Sequence, residues 1–473
     1  MPRVAFQGFE DAFAYLRRFT DYERMGGPKY GPKGYNLDRT RRLLAAVGDP
    51  HLALRVVHVT GTKGKGSTAT MIAAILQQLG LRVGLFTSPH LVRLRERVRV
   101  DGREIGSRAF AARMNEMAEF LEEARSGPEG SHPTFFEIMT ALGFLQFVRA
   151  KVDYAVVEVG LGGRLDSTNV VEPLSTVITN VDLDHMDRLG STVAAIAREK
   201  AGILKPGVPA VTAATHPDAI EVITTRAREL GCPLRRVGGE IRVEDVEATL
   251  VDGMPAIRCS VETDRARWGR VVVRAAGVHQ ATNAATAIAA IEDLLPVPRA
   301  GTLTRADPRR AYARLSMGRM REAVQAALAA ISIPGRIEAI DADTVVDVAH
   351  NPVSMTSLRE ALELHYPDRP VALVLGASRD KDLDGILRAI LPAVSAAVFT
   401  AADHPRAADP EDLLRRARAI APEIPCRAHR DPRAALRLAR RLAPEGALAV
   451  VTGSFYLAGE IYPRSRHLAR AVR

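Results

Sequence analysis

Short runs rich in β-branched residues alternate along this chain with longer segments whose apolar residues recur at helical spacing. This alternation is typical of βαβ units, in which helices cover a parallel sheet, and it predicts an α/β fold. A hairpin turning at Asp101 and Gly102 and a loop at 126–133 are also predicted. In the first half, the predicted strands lie at 55–60, 82–88, 153–160, 175–180 and 209–213, and the predicted helices at 67–79, 107–125, 135–148 and 279–294.

The pattern changes in the second half. Residues 231–274 alternate between apolar and charged side chains, which predicts antiparallel hairpins. The composition shifts at 318–333, and a fresh βαβ series follows, with strands predicted at 344–349, 371–376, 396–401 and 447–453. We therefore predict an N-terminal domain over 1–325 and a smaller C-terminal domain over 326–473.

Composition narrows the class of protein. With 47% hydrophobic and 25% charged residues, the chain resembles an ordinary globular protein. No apolar run approaches the roughly 20 residues that span a bilayer, and the first residues place Asp and Glu where a signal peptide needs an apolar stretch. We expect a cytoplasmic protein with no membrane partner. Cys232, Cys259 and Cys426 share no ligand-like spacing, which argues against a disulfide framework or a zinc site.

The net charge of +10 and the pI of 9.8 raise the question of a nucleic-acid partner. The arginines are spread over the whole chain and are mostly interleaved with acids and alanines, as in EDLLRRARAIAPE (411–423). This favours solvated helix faces over a binding stripe, so no nucleic-acid partner is expected. An anionic small substrate would also suit such a surface.

A glycine-rich stretch, HVTGTKGKGST (58–68), joins the first predicted strand to the first long helix. It departs from the usual G-x-x-x-x-G-K-[ST] phosphate loop, because two residues separate Gly61 from Gly64 and a further glycine lies between Lys65 and Ser67. The physical requirements are still met, since glycines let the backbone approach an anion and the helix N-terminus faces it with free N–H groups. For the stretch taken alone, a tight turn with two solvated lysines is the alternative.

The loop is one of several motifs that together resemble one family. In chain order the motifs are GTKGKGST (61–68), TSPHLVRLRERVRV (87–100), TFFEIMTAL (134–142), VEVGLGGRLDSTN (157–169), NVDLDHMDRLG (180–190), REKAGILKPG (198–207), HQATNAATA (279–287), PGRIE (334–338), DVAHNP (347–352), DKD (380–382) and GSFY (453–456). They resemble the folylpolyglutamate synthase/dihydrofolate synthase branch of the Mur-ligase superfamily, over about residues 55–460. One departure is Lys63, where many bacterial members carry Asn, although some relatives share the lysine.

This resemblance implies both a fold and a reaction. The fold would be α/β, with a Mur-ligase-like N-terminal ATPase domain built on a parallel central sheet plus antiparallel hairpins, and a smaller Rossmann-like C-terminal glutamate-ligase domain. The reaction would transfer the γ-phosphate of ATP to a carboxylate of a folate or of dihydropteroate, and the amino group of L-glutamate would displace phosphate to form an amide. Such chemistry needs alignment and charge neutralisation more than covalent help. A monomer is expected.

The resemblance also assigns ATP contacts to both halves of the chain, which would place ATP between the domains. The implied contacts are Thr62, Lys63, Gly64, Lys65, Gly66 and Ser67 in the loop and Asn283, Arg336, Asp347 and His350 in the second half. Lys65 and Lys200 are the implied catalytic residues.

Two magnesium ions are implied, with Ser88, Glu158 and His185 as metal ligands and Lys200, as a carbamate, near the second ion. A carbamate requires an unprotonated amine, so a lowered lysine pKa is implied. Alternatives exist for each residue taken alone. Ser88 precedes a proline and suits a turn, His185 could cap a loop, and Lys200 could lie on a solvated helix face. Glu158 ends an apolar strand, where a buried carboxylate needs a partner.

The pterin substrate would contact the start of one helix and a following loop, although Phe135 and Phe136 suit a core equally well. The implied substrate contacts are Thr134, Phe135, Phe136, Glu137, Leu165, Asp166 and Ser167. Segment 28–40 matches the N-terminal substrate loop of the family only loosely, and no contact is assigned there.

Two other functions fit parts of the sequence. Other Mur-type amino-acid ligases usually carry an extra N-terminal domain, whereas about 54 residues precede the first predicted strand here. A non-catalytic nucleotide- or nucleic-acid-binding protein would suit the basic pI, but it would not need Glu158, His185 and Lys200 together with the loop.

Overall fold

The protein is described here by a computed structural model, which covers residues 5–25, 31, 34–127, 132–294 and 317–462. Within the predicted loop at 126–133, residues 128–131 lie outside these ranges. In the described ranges, no helix is both long enough and apolar enough to span a bilayer.

An eight-stranded, mostly parallel sheet lies at the centre of the N-terminal half. Its strands are β1 (Val56–Thr60), β2 (Val83–Phe86), β3 (Val98–Val100), β4 (Arg103–Glu104), β5 (Tyr154–Glu158), β6 (Pro173–Ile178), β7 (Ala210–Thr212) and β8 (Leu234–Arg236). Their spatial order is β4-β3-β2-β5-β1-β6-β7-β8, and β1 pairs in parallel with both β5 and β6. The five predicted strands are confirmed, and the predicted hairpin is formed by β3 and β4, with Asp101 and Gly102 at positive φ.

Helices cover both faces of this sheet, so its central strands are buried throughout, as is typical of parallel sheets. The helices are α1 (Phe9–Leu16), α2 (Tyr22–Met25), α3 (Leu37–Ala45), α4 (Lys65–Gln78), α5 (Ser107–Ser126), α6 (Phe135–Arg149), α7 (Met186–Leu189), α8 (Val193–Ala201), α9 (Pro217–Glu229) and α10 (His279–Leu294). The core on one face contains α4 and α10, and the core on the other contains α1, α3, α5 and α6. The four predicted helices are confirmed, although α4 begins two residues before its predicted start.

A three-stranded antiparallel sheet packs beside the central one and confirms the predicted hairpins over 241–273. The start of the predicted hairpin range is different, because Leu234–Arg236 form β8, which pairs in parallel with β7 at the edge of the central sheet. It consists of β9 (Ile241–Val251), β10 (Met254–Thr263) and β11 (Arg267–Val273). The buried Trp268 of β11 donates its Nε1–H to Glu292 Oε1 at 2.7 Å, and Arg235 of β8 pairs with Glu292 at 2.6 Å and with Asp293 at 2.8 Å. This buried ion network fixes helix α10 against the edges of both sheets.

Helix α11 (Met317–Ala330) lies across the predicted domain boundary. It packs against α4 and β11, which belong to the N-terminal half. Residues 325 and 326, between which we placed the boundary, are both inside this helix, so its packing favours a division beyond Ala330.

A six-stranded sheet forms the C-terminal half. Its strands are β12 (Glu338–Asp341), β13 (Thr344–Val346), β14 (Val371–Leu375), β15 (Ala396–Phe399), β16 (Cys426–Ala428) and β17 (Leu448–Thr452), and its helices are α12 (Pro352–His365), α13 (Leu383–Ile390), α14 (Pro410–Ile420), α15 (Pro432–Leu442) and α16 (Phe455–Ile461). The spatial order is β12-β13-β17-β14-β15-β16, with only β12 antiparallel to its neighbour. The four predicted strands are confirmed as β13, β14, β15 and β17.

The two halves touch at the segment that follows β2. Leu91 and Val92 pack against the core of the C-terminal half, and the Leu91 carbonyl lies so close to Gly459 of α16 that a Cβ there would be 2.1 Å from the oxygen. Only glycine fits at this close approach. The contact lies three residues after Ser88, so the interface adjoins the predicted metal ligand.

Candidate active site

The glycine-rich loop is a tight strand-to-helix turn between β1 and α4. Gly64 occupies the N-cap of α4 with a φ of 83°, and a Cβ there would lie 2.5 Å from Asn283 Oδ1. Glycine at this position therefore lets the loop approach Asn283, which was predicted to contact ATP. At Gly61 a Cβ would lie 1.7 Å from Thr179 Oγ1, so a side chain is excluded there too.

The segment after β6 holds the loop in place. The N–H of Thr62 donates to the Asn180 carbonyl at 2.8 Å, and the N–H of Lys63 donates to Asn180 Oδ1 at 2.7 Å. The Thr179 hydroxyl donates to the Lys63 carbonyl at 2.6 Å. Sequence analysis did not assign a role to Asn180. Its place at the carboxyl end of the strand next to β1 was the available signal, since ligand sites of parallel sheets lie at that edge.

Two lysines converge on one carbonyl of the loop. Lys65 Nζ lies 3.0 Å and Lys200 Nζ lies 2.8 Å from the Gly61 oxygen. Lys200 is 3% exposed, which rules out the solvated helix face considered above. Burial lowers the pKa of Lys65, partly opposed by Glu158, and burial together with the Lys65 charge lowers the pKa of Lys200 well below its usual value. In the described part of the chain both amines donate only to backbone carbonyls, so neither lysine forms a direct ion pair.

Glu158 brings a buried carboxylate to the same place. It is 4% exposed, and its Oε2 accepts the N–H of Ser88 at 3.0 Å. A Cβ at Gly66 would lie 3.4 Å from that oxygen, so the carboxylate lies against the first turn of α4. Burial raises the pKa of Glu158, and Lys65 opposes the rise. The partner that a buried carboxylate needs is thus the Ser88 backbone together with the nearby lysine.

His185 and its neighbour Asp184 border the loop on the side of Lys63. Lys63 Nζ lies 3.0 Å from Asp184 Oδ2. His185 precedes α7 at its N-cap with a φ of 50°, as the capping alternative predicted, but its side chain makes no capping hydrogen bond. Burial lowers the pKa of His185 to about 4, which leaves a neutral imidazole able to bind a metal. Among the described residues no three His, Cys, Asp or Glu side chains form a metal-binding group by themselves.

The C-terminal half supplies Arg336, Asp347 and His350. Burial lowers the pKa of Lys65 and raises that of Glu158, and the charge of Arg336 across the interface adds to the first shift and opposes the second. Its guanidinium lies over the Phe455 ring at 5.4 Å. Burial raises the pKa of Asp347, opposed by Arg336. The structure therefore brings this half of the predicted ATP site up to the loop.

Backbone contacts fix the other two groups. Asp347 accepts the N–H groups of Ile337 at 3.0 Å and Ala349 at 2.6 Å, so it holds the turn that carries Arg336. His350 Nδ1 lies 2.9 Å from the Val348 carbonyl, which leaves Nε2 as the acceptor of the neutral ring. Burial lowers the pKa of His350 to about 3, with a further contribution from Lys63.

The predicted pterin contacts divide into two groups. At the start of α6, Thr134 and Glu137 form a capping box, and Glu137 also pairs with Arg39 at 2.7 Å. Phe135 is 5% exposed and belongs to the core, whereas Phe136 is only partly buried. At least one of the two phenylalanines is therefore a core residue, as considered above.

The second group lies on the loop after β5. Asp166 accepts the N–H groups of Leu161 at 2.9 Å and Thr168 at 3.0 Å, and Ser167 Oγ lies 2.7 Å from Thr140 Oγ1 of α6. The hydrogen bond between Ser167 and Thr140 joins the two groups of predicted contacts beside α6. Leu165 is partly buried, and it lies in the sequence between the exposed Arg164 and the buried Asp166. Contacts of this loop with a pterin stay a prediction. Within segment 28–40, residues 28–30, 32 and 33 lie outside the described residues.

Comparisons with known proteins agree with this geometry. The Mur ligase middle domain matches residues 59–291, and the Mur ligase glutamate ligase domain matches residues 335–455. The dihydrofolate synthase/folylpolyglutamate synthase of Bacillus subtilis is 34% identical over 464 residues, which cover 97% of this chain and 99% of the relative.

Solved structures are similar over almost the whole length. A Mycobacterium tuberculosis folylpolyglutamate synthase complexed with ADP superposes with a TM-score of 0.81 and 29% identity, covering 97% of this chain and 98% of the other. An FPGS–AMPPCP–folate complex superposes with a TM-score of 0.73 and 28% identity, covering 96% and 98%. The fold and the loop thus define a Mur ligase. The chain belongs to the folylpolyglutamate synthase/dihydrofolate synthase family of these ATP-dependent ligases.

Proposed function

We propose that this protein joins L-glutamate to a folate by an ATP-dependent amide ligation that passes through an acyl phosphate and releases ADP and phosphate. The acceptor is tetrahydrofolate or its polyglutamate, dihydropteroate, or both. The observation that carries the proposal is the convergence of Lys65 and Lys200 on the Gly61 carbonyl without a paired carboxylate. An anionic ligand would favour the charged form of a buried amine such as that of Lys65, and a polyphosphate at a helix N-terminus supplies such a ligand.

The residues of the loop bind ATP in two ways. Backbone N–H groups at the start of α4 bind the phosphates, and the Lys65 ammonium stabilises the negative charge of the γ-phosphoryl group while it is transferred. Asn283 holds the nucleotide from beside the loop on α10, and Arg336 and His350 hold it from the other side of the interface. Because both halves contribute, the reacting groups lie in a cleft that excludes water, which protects the acyl phosphate from hydrolysis.

The donors around Glu158 fit magnesium. Glu158 and Ser88 would hold the ion through oxygen ligands, and His185 would offer a neutral ring nitrogen. Magnesium, when bound, neutralises charge on the phosphates during transfer. Glu158 keeps its position through the Ser88 N–H, which presents the carboxylate to the cleft.

Lys200 is proposed to be carbamylated and to serve a second magnesium site. Its low pKa favours the neutral amine, which is the form that reacts with CO2. Carbamylation would convert the neutral amine into an anionic oxygen ligand and release a proton. The negative carbamate would then lie near Lys65, whose positive charge would favour it.

The remaining proposals concern the whole protein. We place the phosphate loop and the pterin site in an ATP-binding domain over 1–325 and glutamate ligation in the domain over 326–473, with the division shifted to follow α11. The protein acts as a monomer in the cytoplasm, with small molecules as its partners.

An assay with purified protein tests the function. ADP release is measured with ATP, magnesium and L-glutamate, with either 7,8-dihydropteroate or tetrahydrofolate as acceptor, and the glutamylated product is identified by mass. We expect ADP release that depends on both glutamate and an acceptor. ADP release that needs neither glutamate nor an acceptor, or that is stimulated by DNA or RNA, would contradict the ligase proposal and favour another nucleotide-binding function.

A further inference from the structure

A buried arginine from the motif TSPHLVRLRERVRV has no role in the site described above. Arg97 is 2% exposed, and its guanidinium lies 5.5 Å from the centre of the Phe135 ring. Its Nε–H donates to His90 Nδ1 at 3.0 Å. Arg97 therefore connects the segment after Ser88 with the start of helix α6, where the pterin is proposed to bind.

The partner of Arg97 comes from the N-terminal segment. Both terminal nitrogens of Arg97 bond to the Glu23 carboxylate, at 2.9 and 2.5 Å. Two-point pairing of this kind fixes orientation as well as distance. The same segment contacts the pterin helix directly, because the N–H of Phe135 donates to the Thr20 carbonyl at 3.0 Å. Residues 20–23 are thus attached to the proposed acceptor site at two points.

The C-terminal half holds the same segment from the other side. Arg406 Nη2 donates to the Glu23 carbonyl at 2.9 Å, a contact between residues 383 positions apart. Burial raises the pKa of the half-buried Tyr456 and the nearby Arg406 charge opposes the rise, and Tyr456 follows Phe455, the ring under Arg336. Glu23 is therefore held through its side chain by one half of the molecule and through its backbone by the other.

We propose that Arg406 is a positioning residue for the folate acceptor, acting through Glu23 and Arg97, although it lies on the glutamate-ligase half. This inference rests on the proposed function, because it takes the start of α6 as the acceptor site. A nucleotide contacts both halves and stabilises the arrangement in which Arg406 holds Glu23. Nucleotide and acceptor then strengthen each other's binding, and such coupling is reciprocal.

The experiment measures that coupling in the full chain. The dissociation constant of 7,8-dihydropteroate is determined by calorimetry with and without saturating AMPPCP and magnesium. In the wild type we expect AMPPCP to tighten acceptor binding about fivefold or more. In Arg406→Ala the factor by which AMPPCP tightens acceptor binding should fall close to one. The KM for the acceptor should rise, and kcat at saturating acceptor should stay within about twofold of wild type. Arg406→Lys should regain part of the factor, since an ammonium can donate to the Glu23 carbonyl.

Two controls separate positioning from a general loss of structure. Arg416→Ala removes an arginine whose ion pairs, with Asp384 and Asp412, stay within the C-terminal half, and it should keep the wild-type factor. ADP affinity should be unchanged in Arg406→Ala. A wild-type factor in Arg406→Ala, or an equal loss of ADP and acceptor affinity, would overturn the inference. A wild type that binds ADP but neither dihydropteroate nor tetrahydrofolate would overturn the proposed function as well.

Discussion

Two lysines share the Gly61 carbonyl, but the two side chains have different uses. Lys65 is the first residue of helix α4, where its charge can stabilise the phosphates. Lys200 is buried behind the loop, and its pKa lies well below its usual value. The sequence predicted both lysines as catalytic residues because each lies in a motif. It could not predict that they meet at one oxygen, because 139 positions separate Gly61 from Lys200 and only the packing of α8 joins them.

The first residue-scale prediction concerns Lys65. Lys65→Ala should lower kcat by about a hundredfold or more while leaving the melting temperature unchanged, because the ammonium stabilises phosphate charge and packs little. Lys205→Ala is the matched control, since this lysine also donates to a backbone carbonyl, that of Asn169, but away from the loop. Near-normal turnover of Lys65→Ala at saturating ATP would show that the loop does not bind the reacting phosphates.

The second residue-scale prediction concerns the carbamate. Lys200→Ala and Lys200→Arg should both be nearly inactive, since alanine provides no ligand and arginine keeps the positive charge without forming a carbamate. A small carboxylate in the buffer should restore part of the rate to the alanine variant by filling the vacated space. Intact-protein mass measured under CO2 should show one added CO2 in the wild type and none in the variants. An active Lys200→Arg would contradict the modification.

At the scale of the element, the predicted strands of the two large sheets were those whose residues are mainly apolar. Strands β12 and β16 were not predicted, and β8 was included in the predicted hairpins, because their sequences EAID, CRA and LRR contain charged residues in place of an apolar, β-branched run. Helices α1 and α3 were not predicted either. The start of α4 was placed at Ser67, whereas Gly64 at positive φ is the true N-cap, a position that glycine occupies through backbone freedom.

An element-scale prediction follows from the start of α6. Glu137, proposed to contact the substrate, uses both oxygens within the protein, because Oε2 accepts the Thr134 N–H at 2.8 Å and Oε1 pairs with the buried Arg39. Glu137→Gln should destabilise the protein by about 3 kcal/mol, because it removes the carboxylate that pairs with the buried Arg39. Denaturant unfolding measures the change.

The control for that measurement is Glu229→Gln on α9, whose partner Arg226 is exposed, and it should leave the unfolding midpoint in place. A Glu137→Gln variant with an unchanged midpoint and a raised KM for the acceptor would mean that the carboxylate contacts the substrate. Stability and KM together therefore separate the two roles of this residue.

At the scale of the whole molecule, the active site exists only where the two halves meet. The loop, Glu158 and Lys200 come from one sheet, and Arg336 and His350 come from the other. The order of the motifs predicted that both halves contribute to the site, since the motifs that contain Arg336 and His350 come after the composition shift at 318–333. The interface itself could not be predicted, because it depends on the close approach of the Leu91 carbonyl to Gly459 and on the contact of Arg406 with the Glu23 carbonyl.

The last prediction tests the contribution of the C-terminal half to ATP binding. Arg336→Ala should raise the KM for ATP about tenfold or more and change the KM for glutamate much less, because a hydrogen bond to a charged ligand is lost on the nucleotide side. Arg369→Ala is the matched control. Its hydrogen bonds, to the carbonyls of Ala342 and Gly446 and to Asp343, stay within the C-terminal half, so the KM for ATP should be unaffected. An unchanged KM for ATP in Arg336→Ala would mean that the nucleotide is bound by the loop half alone. The proximity of Arg336 to Lys65 and Glu158 would then serve only to hold the two halves together.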